Sequence, residues 1–240
     1  MTTTTGPKTV HTSELLERLI DMEIEPGAEF VVELLGPGYV LGAEWVDLPK
    51  SFYESENGII LISSSVIDHP FKPRMVLLPP FPIRDVSESN SFEELREFAS
   101  EGRLTAIVLL RLGNYAVGIA ENEQLVITKT GSRYVKGQHR KGGQSSNRFR
   151  RNREKWIREL FDEASEILKS RINQYPGEID HVVLGGDRVV LGQFLKRADL
   201  DRSLMQGLLP QRLSVAQPGR KSLDDAVHEL WSYRVVEYPN

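Results

Sequence analysis

The chain has 240 residues, 40% of them hydrophobic and 27% charged, with a formal net charge of -4 at pH 7. That length accommodates one large domain or two moderate ones, and the apolar content is ample for ordinary globular cores. Cysteine is absent, which excludes disulfides, thiolate metal sites and thiol catalysis.

Taken in order, residues 1–10 read as a flexible lead. The start Met1-Thr2-Thr3-Thr4-Thr5-Gly6-Pro7 lacks the apolar centre of a signal peptide. The longest apolar runs, such as Ala106-Ile107-Val108-Leu109-Leu110, are too short to cross a bilayer. A soluble, cytoplasmic protein with no membrane partner is expected. Ser13 is placed to cap a helix over Glu14 to Met22, with Leu15, Leu16, Leu19 and Ile20 on one face. Strands are expected at Phe30 to Leu35, Ile59 to Ile62 and Met75 to Leu78, followed by a short helix from Ser91 to Glu101. Residues 11–100 thus form a small α+β or barrel-like N-terminal domain.

A second pattern, residues 101–240, begins with three strands: Leu104 to Leu110, Tyr115 to Ala120 and Gln124 to Thr130. Gly113-Asn114 and Glu121-Asn122 stand where hairpin turns belong. A glycine-rich loop, 131–147, comes next, and a long helix starts near Asn147. Trp156, Ile157, Leu160, Phe161, Ala164, Ile167 and Leu168 recur along it at helical spacing. Then come a buried strand (His181 to Leu184), a helix (Val189 to Arg197), a strand near Arg212 to Val215 and a helix from Ser222 to Leu230. Antiparallel strands followed by alternating helices and strands predict a mixed sheet with helices on its faces.

Charge is distributed very unevenly. From Gln124 to Arg153 there are nine Lys and Arg residues and no Asp or Glu, which leaves -13 on the rest of a chain whose total is -4. One positive arm on an acidic body suits insertion among phosphates. The loop holds Gly131, Gly137, Gly142 and Gly143 and almost no apolar anchors. Little buried surface offsets its ordering entropy, so mobility in the free protein is expected. Four arginines, Arg148, Arg150, Arg151 and Arg153, crowd the start of the long helix. The helix dipole prefers acidic residues there, so RNA phosphate is the natural reason for them.

Within this arm, Lys136-Gly137-Gln138-His139-Arg140-Lys141-Gly142-Gly143-Gln144-Ser145, continued by Arg148-Phe149 and Arg151, resembles the catalytic loop of archaeal and eukaryotic class I peptide-chain release factors. It also resembles that of the stand-alone Vms-type release-factor-like peptidyl-tRNA hydrolases. The tripeptide alone would be weak. The sequence of strand, basic Gly-Gly-Gln-Ser loop, Arg-Phe and long helix is specific, and the likeness covers roughly residues 100–235. It implies a catalytic domain with a ribonuclease H-like mixed sheet, an α+β or α/β architecture.

The resemblance assigns catalysis to Gly142, Gly143 and Gln144. Gln144 has no useful pKa; its backbone N–H serves an oxyanion, while its side chain helps admit water and exclude larger nucleophiles. The two glycines allow close backbone approach. Arg133, Lys136, His139, Arg140, Lys141, Ser145, Arg148, Arg150, Arg151 and Arg153 are the candidate RNA contacts. His139 carries a usable pKa, but a phosphate or ribose contact outweighs acid–base work. Asp187, after Gly185-Gly186, has no acidic partner, so a helix-start role outweighs metal ligation. The remaining histidines are scattered. No metal and no cofactor are expected.

These features imply ribosome-dependent hydrolysis of the peptidyl-tRNA ester, with the peptidyl-transferase centre of the large subunit, its rRNA and peptidyl-tRNA as partners. The Asn-Ile-Lys-Ser codon-reading tetrapeptide of the decoding factors is absent, and little chain follows residue 235 for a GTPase-binding domain. A compact, stop-codon-independent factor acting on stalled ribosomes or split large subunits fits better. A non-catalytic ribosome or RNA-binding rescue module is the main rival, and a tRNA nuclease is a third reading that lacks a carboxylate cluster.

Overall fold

In a computed structural model, residues 6–42, 45, 48–66, 69–84, 91–133 and 144–238 are described. The chain divides into two compact units, residues 1–101 with 230–240, and residues 102–229.

The first unit is built on a five-stranded antiparallel sheet of order β1-β10-β4-β3-β2. Its strands are β1 (Lys8–His11), β2 (Glu29–Leu35), β3 (Ile59–Val66), β4 (His69–Leu78) and β10 (Ser232–Glu237). Period-two alternation gives the sheet two apolar faces. Ile60, Ile62 and Val235 join Leu15 and Leu19 of α1 (Thr12–Glu23) and Leu95 of α3 (Phe92–Ser100). On the other face Ile59, Leu61 and Val236 pack with Trp45, Tyr238 and Phe52 of α2 (Lys50–Tyr53).

Two expectations fail here for related reasons. The residues from 230 onward were expected with the second domain, but β10 lies between β1 and β4 and fills both faces of the first sheet. The last three residues of the 1–10 lead, Lys8, Thr9 and Val10, belong to β1. Both are short segments whose strand character comes from a partner distant in sequence. Ser13 is not a cap either: the helix begins at Thr12, whose N–H and hydroxyl both donate to the Trp231 carbonyl at 3.0 and 2.7 Å. By contrast, Ser91 does cap α3, accepting from the Glu94 N–H at 3.2 Å.

The second unit holds a mixed sheet of order β7-β6-β5-β8-β9. β5 (Leu104–Arg111), β6 (Asn114–Glu121) and β7 (Gln124–Ser132) are antiparallel, whereas β8 (His181–Gly186) and β9 (Leu208–Leu213) run parallel to β5. This is the mixed, helix-flanked sheet that the sequence pattern predicts. Both hairpin turns sit one residue from their expected places, at Leu112-Gly113 and Asn122-Glu123. Gly113 and Asn122 supply the positive φ values of 101° and 55° that such tight turns need.

One face of this sheet is covered by α4 (Gln144–Asn173), through Leu160, Phe161, Ala164 and Leu168, and by α5 (Arg188–Arg197), through Val190, Leu191 and Phe194. Tyr115, Val117 and Ile119 of β6 point into that core. The alternate residues Ala116, Gly118 and Ala120 are small. A methyl group on Gly118 would meet Leu223 of α7 (Arg220–Leu230) at 3.2 Å, so small residues let α7 lie close on the opposite face. A short helix, α6 (Arg202–Gln206), precedes β9. No described helix is long and apolar enough to cross a membrane.

Candidate nucleic-acid interface at the start of the long helix

Gly142 and Gly143, with Lys136, His139, Arg140 and Lys141, lie outside the described residues. The stretch between β7 and α4 is shorter than the 131–147 expected, because β7 extends through Ser132 and α4 begins at Gln144. Gln144 and Ser145 thus open a helix of 30 residues, ~45 Å long at the standard rise. The first four N–H groups of an α-helix have no intrahelical acceptor, and the dipole makes that end electropositive. Gln144 N–H is one of these four donors.

The helix starts three residues earlier than the sequence suggests, which changes the electrostatics of its arginines. The dipole acts mainly over the first turn. Arg148, Arg150 and Arg151 fall in the second turn, so the expected conflict with the dipole is largely removed. All three are exposed. Arg150 has a long 3.9 Å contact with Glu154; among the described residues Arg148 and Arg151 form no ion pair. Phe149, half exposed, shares this surface. Arg153 is different: it is half-buried, and its Nε makes no hydrogen bond among the described residues.

Arg133, at the end of β7, belongs to another arrangement. Its backbone N–H donates to the Gly113 carbonyl at 2.8 Å. Its guanidinium reaches two carboxylates one helical turn apart on α4, Glu159 at 3.4 Å and Glu163 at 3.1 Å. Glu163 also accepts from the Tyr115 hydroxyl at 2.9 Å. Burial of the phenol, with this bond to Glu163, pushes the Tyr115 pKa up to about 12. A cation held by two carboxylates is not an open phosphate site, so the structure gives Arg133 an intramolecular role.

Gly131, expected in the glycine-rich loop, pairs instead with Tyr115 in the β6–β7 ladder. A methyl group there would stand 2.3 Å from the Tyr115 ring. It is a space for that ring. Tyr115, Glu159 and Glu163 were not legible as a group. The i, i+4 spacing of the two glutamates was a signal, but nothing local pointed to the tyrosine.

Asp187 caps α5, accepting from the Val189 and Val190 N–H groups at 2.9 and 3.1 Å. Among the described residues no group of three or more His, Cys, Asp or Glu stands together as a metal site would require.

Residues 103–236 match the family described as Actinobacteria/chloroflexi VLRF1 release factor. Peptide chain release factor subunit 1 of Archaeoglobus fulgidus is 26% identical over 160 residues, covering 64% of this chain and 39% of that protein. Its namesake from Aeropyrum pernix is 25% identical over 189 residues, covering 75% and 50%. The chain spans half the length of these relatives or less. Among solved structures, the archaeal translation termination factor aRF1 superposes with a TM-score of 0.39 at 16% identity, over 92% of this chain and 72% of that one. The Vms1 mitochondrial localization core gives 0.42 at 17% identity, over 72% and 74%. With more than half of its length matching, the chain belongs to the VLRF1 release-factor family.

Proposed function

We propose that this protein hydrolyses the ester of peptidyl-tRNA on the ribosome, in the cytoplasm, and frees nascent chains from stalled ribosomes or split large subunits without reading a stop codon. The observation that carries the reading is the position of Gln144 as the first residue of α4, directly after Gly142 and Gly143. Water attacks the ester carbonyl, the C–O bond to the terminal ribose breaks, and the products are a peptide acid and a tRNA with a free 3′-terminal ribose. The carbonyl oxygen becomes an oxyanion on the way. A fixed N–H aimed at that oxygen is worth roughly 2.7–4 kcal/mol of barrier, or 10²–10³ in rate. The helix start supplies such an N–H without a competing intrahelical acceptor. Two glycines before it allow the backbone to approach the ester closely.

Lys136, His139, Arg140 and Lys141 serve in this reading as contacts to tRNA or rRNA phosphate and ribose. Arg148, Arg150 and Arg151 extend that basic surface along α4.

The test is peptide release from purified large subunits and from programmed 70S ribosomes carrying labelled peptidyl-tRNA, with the tRNA recovered afterwards. Release without a stop codon, leaving tRNA that can be aminoacylated again, is expected. Occupancy of the ribosome without release would show a non-catalytic rescue module. A tRNA shortened at its 3′ end would show a nuclease.

A further inference from the structure

Outside the Gly-Gly-Gln stretch, a cavity of about 480 Å³ opens in the second unit beside α4 and α5. Its place in the sheet is notable on general grounds. It lies at the carboxyl ends of the parallel strands β5 and β8, where the chain leaves β5 into a hairpin and β8 into a helix. Open sheets with parallel strands bind ligands at such divergence points. The volume falls within the ~300–1,000 Å³ of small-molecule sites.

The lining divides into two chemistries. Arg111 at the end of β5 and Arg153 of α4 supply guanidinium groups, and the buried Arg153 Nε lacks a hydrogen-bond partner among the described residues. A donor left without an acceptor away from water carries a desolvation cost that a ligand oxygen would relieve. Leu112, Val189 and Ile157 supply apolar surface beside them. Leu112 and Val189 remain exposed, 38% and 67%. Gln193 adds an amide that both donates and accepts. The Asp187 carboxylate also borders the cavity, but it accepts the two leading N–H groups of α5. The site is therefore made of side chains and not of an open helix terminus.

We infer that this cavity binds one nucleotide of single-stranded RNA. The phosphate sits between Arg111 and Arg153, the base rests on Leu112 and Val189, and Gln193 reaches a base edge or the 2′-hydroxyl. Two observations favour RNA over an acidic protein segment. Arg153 follows Arg150 by three residues and precedes Ile157 by four, so the cavity continues the exposed arginine surface of α4 along one helix face. Apolar shelves beside guanidinium groups suit a base, which presents a flat π-face whatever its identity. The inference rests on the RNA-facing reading of that helix start, but not on hydrolysis.

The experiment is an NMR titration of the isolated protein with UMP, AMP, uridine, inorganic phosphate and an acidic peptide, followed through backbone amides. Either nucleotide is expected to shift Leu112, Val189, Val190 and Gln193. Uridine and phosphate alone should bind more weakly than UMP. Arg153→Gln, which keeps most of the stem packing, should weaken UMP about tenfold or more. Val189→Asp, at an exposed position, should do likewise while preserving the spectrum elsewhere. Phosphate binding as tightly as UMP would show an anion site only and overturn the nucleotide assignment. Shifts from the peptide but not the nucleotides would overturn it in favour of a protein partner, and no shift from any probe would remove the site. Release activity is not read in this experiment, so nucleotide binding by a protein that releases no peptide would sink the hydrolysis proposal and leave this one standing.

Discussion

The two ends of α4 obey different rules. Over residues 144–153 the helix carries four arginines and no acid, and Arg148, Phe149, Arg150 and Arg151 are all exposed. From Glu154 to Asn173 it carries five acids and four bases, and Leu160, Phe161, Ala164 and Leu168 are buried against the sheet. This second half is fastened sideways as well. Glu159 and Glu163 hold Arg133, and Asp162 makes a two-pronged pair with Arg197 of α5 at 2.5 and 2.7 Å. One half is anchored by packing and mixed charge. The other is held out by it, with a surface that does little for the fold.

That contrast predicts how variants divide. The largest stability loss is expected in the anchored half: Phe161→Ala should cost ~3–5 kcal/mol, measured by denaturant unfolding. A loss below one kcal/mol would mean that α4 is not packed as described. Glu163→Ala comes next, because it strands the buried Tyr115 hydroxyl as well as Arg133, and roughly 1–3 kcal/mol is expected. Arg133→Ala should cost less than about 1 kcal/mol, since that ion pair is partly exposed.

The same group gives a pH signature. Tyr115 folds with its pKa raised from 10.0 to about 12. Its stabilisation is complete below pH 10 and is lost as pH rises towards 12, where the folded state must also release the proton. Tyr115→Phe should flatten that alkaline fall in melting temperature, and an unchanged fall would assign it to other groups. The smallest stability effects belong to the exposed half. Arg148→Gln and Arg151→Gln should leave stability within about 0.5 kcal/mol. Each should also lower the log–log salt slope of ribosome binding by ~0.7–0.9. Unchanged binding with a clear stability loss would erase the distinction between the two halves.

Much of the second unit was legible because its signals are local. The buried run Leu104 to Leu110, the turns at Gly113 and Asn122, and the apolar stripe of α4 each declare themselves within a few residues. The first unit is less legible in its sequence. Its sheet is completed by β1 and β10, which become strands only by pairing across the length of the chain. At the candidate site the basic surface was visible, but its internal division was not. Arg133 and Arg148 are the same residue type in the same charge run. Only the fold shows that one faces two glutamates across a strand end and the other faces solvent. The start of α4 at Gln144 was likewise hidden, since no acidic residue marks its first turn.

The central claim is that backbone geometry at the entrance to α4 performs the chemistry. It is tested most directly by single-turnover peptide release from large subunits at saturating protein, comparing the wild type with Gly143→Ala. The added methyl restricts the backbone next to Gln144 and leaves every arginine of the sequence in place. A fall in the release rate of about a hundredfold or more, with ribosome affinity and melting temperature unchanged, is predicted. Release at the wild-type rate by the bound variant would contradict the account.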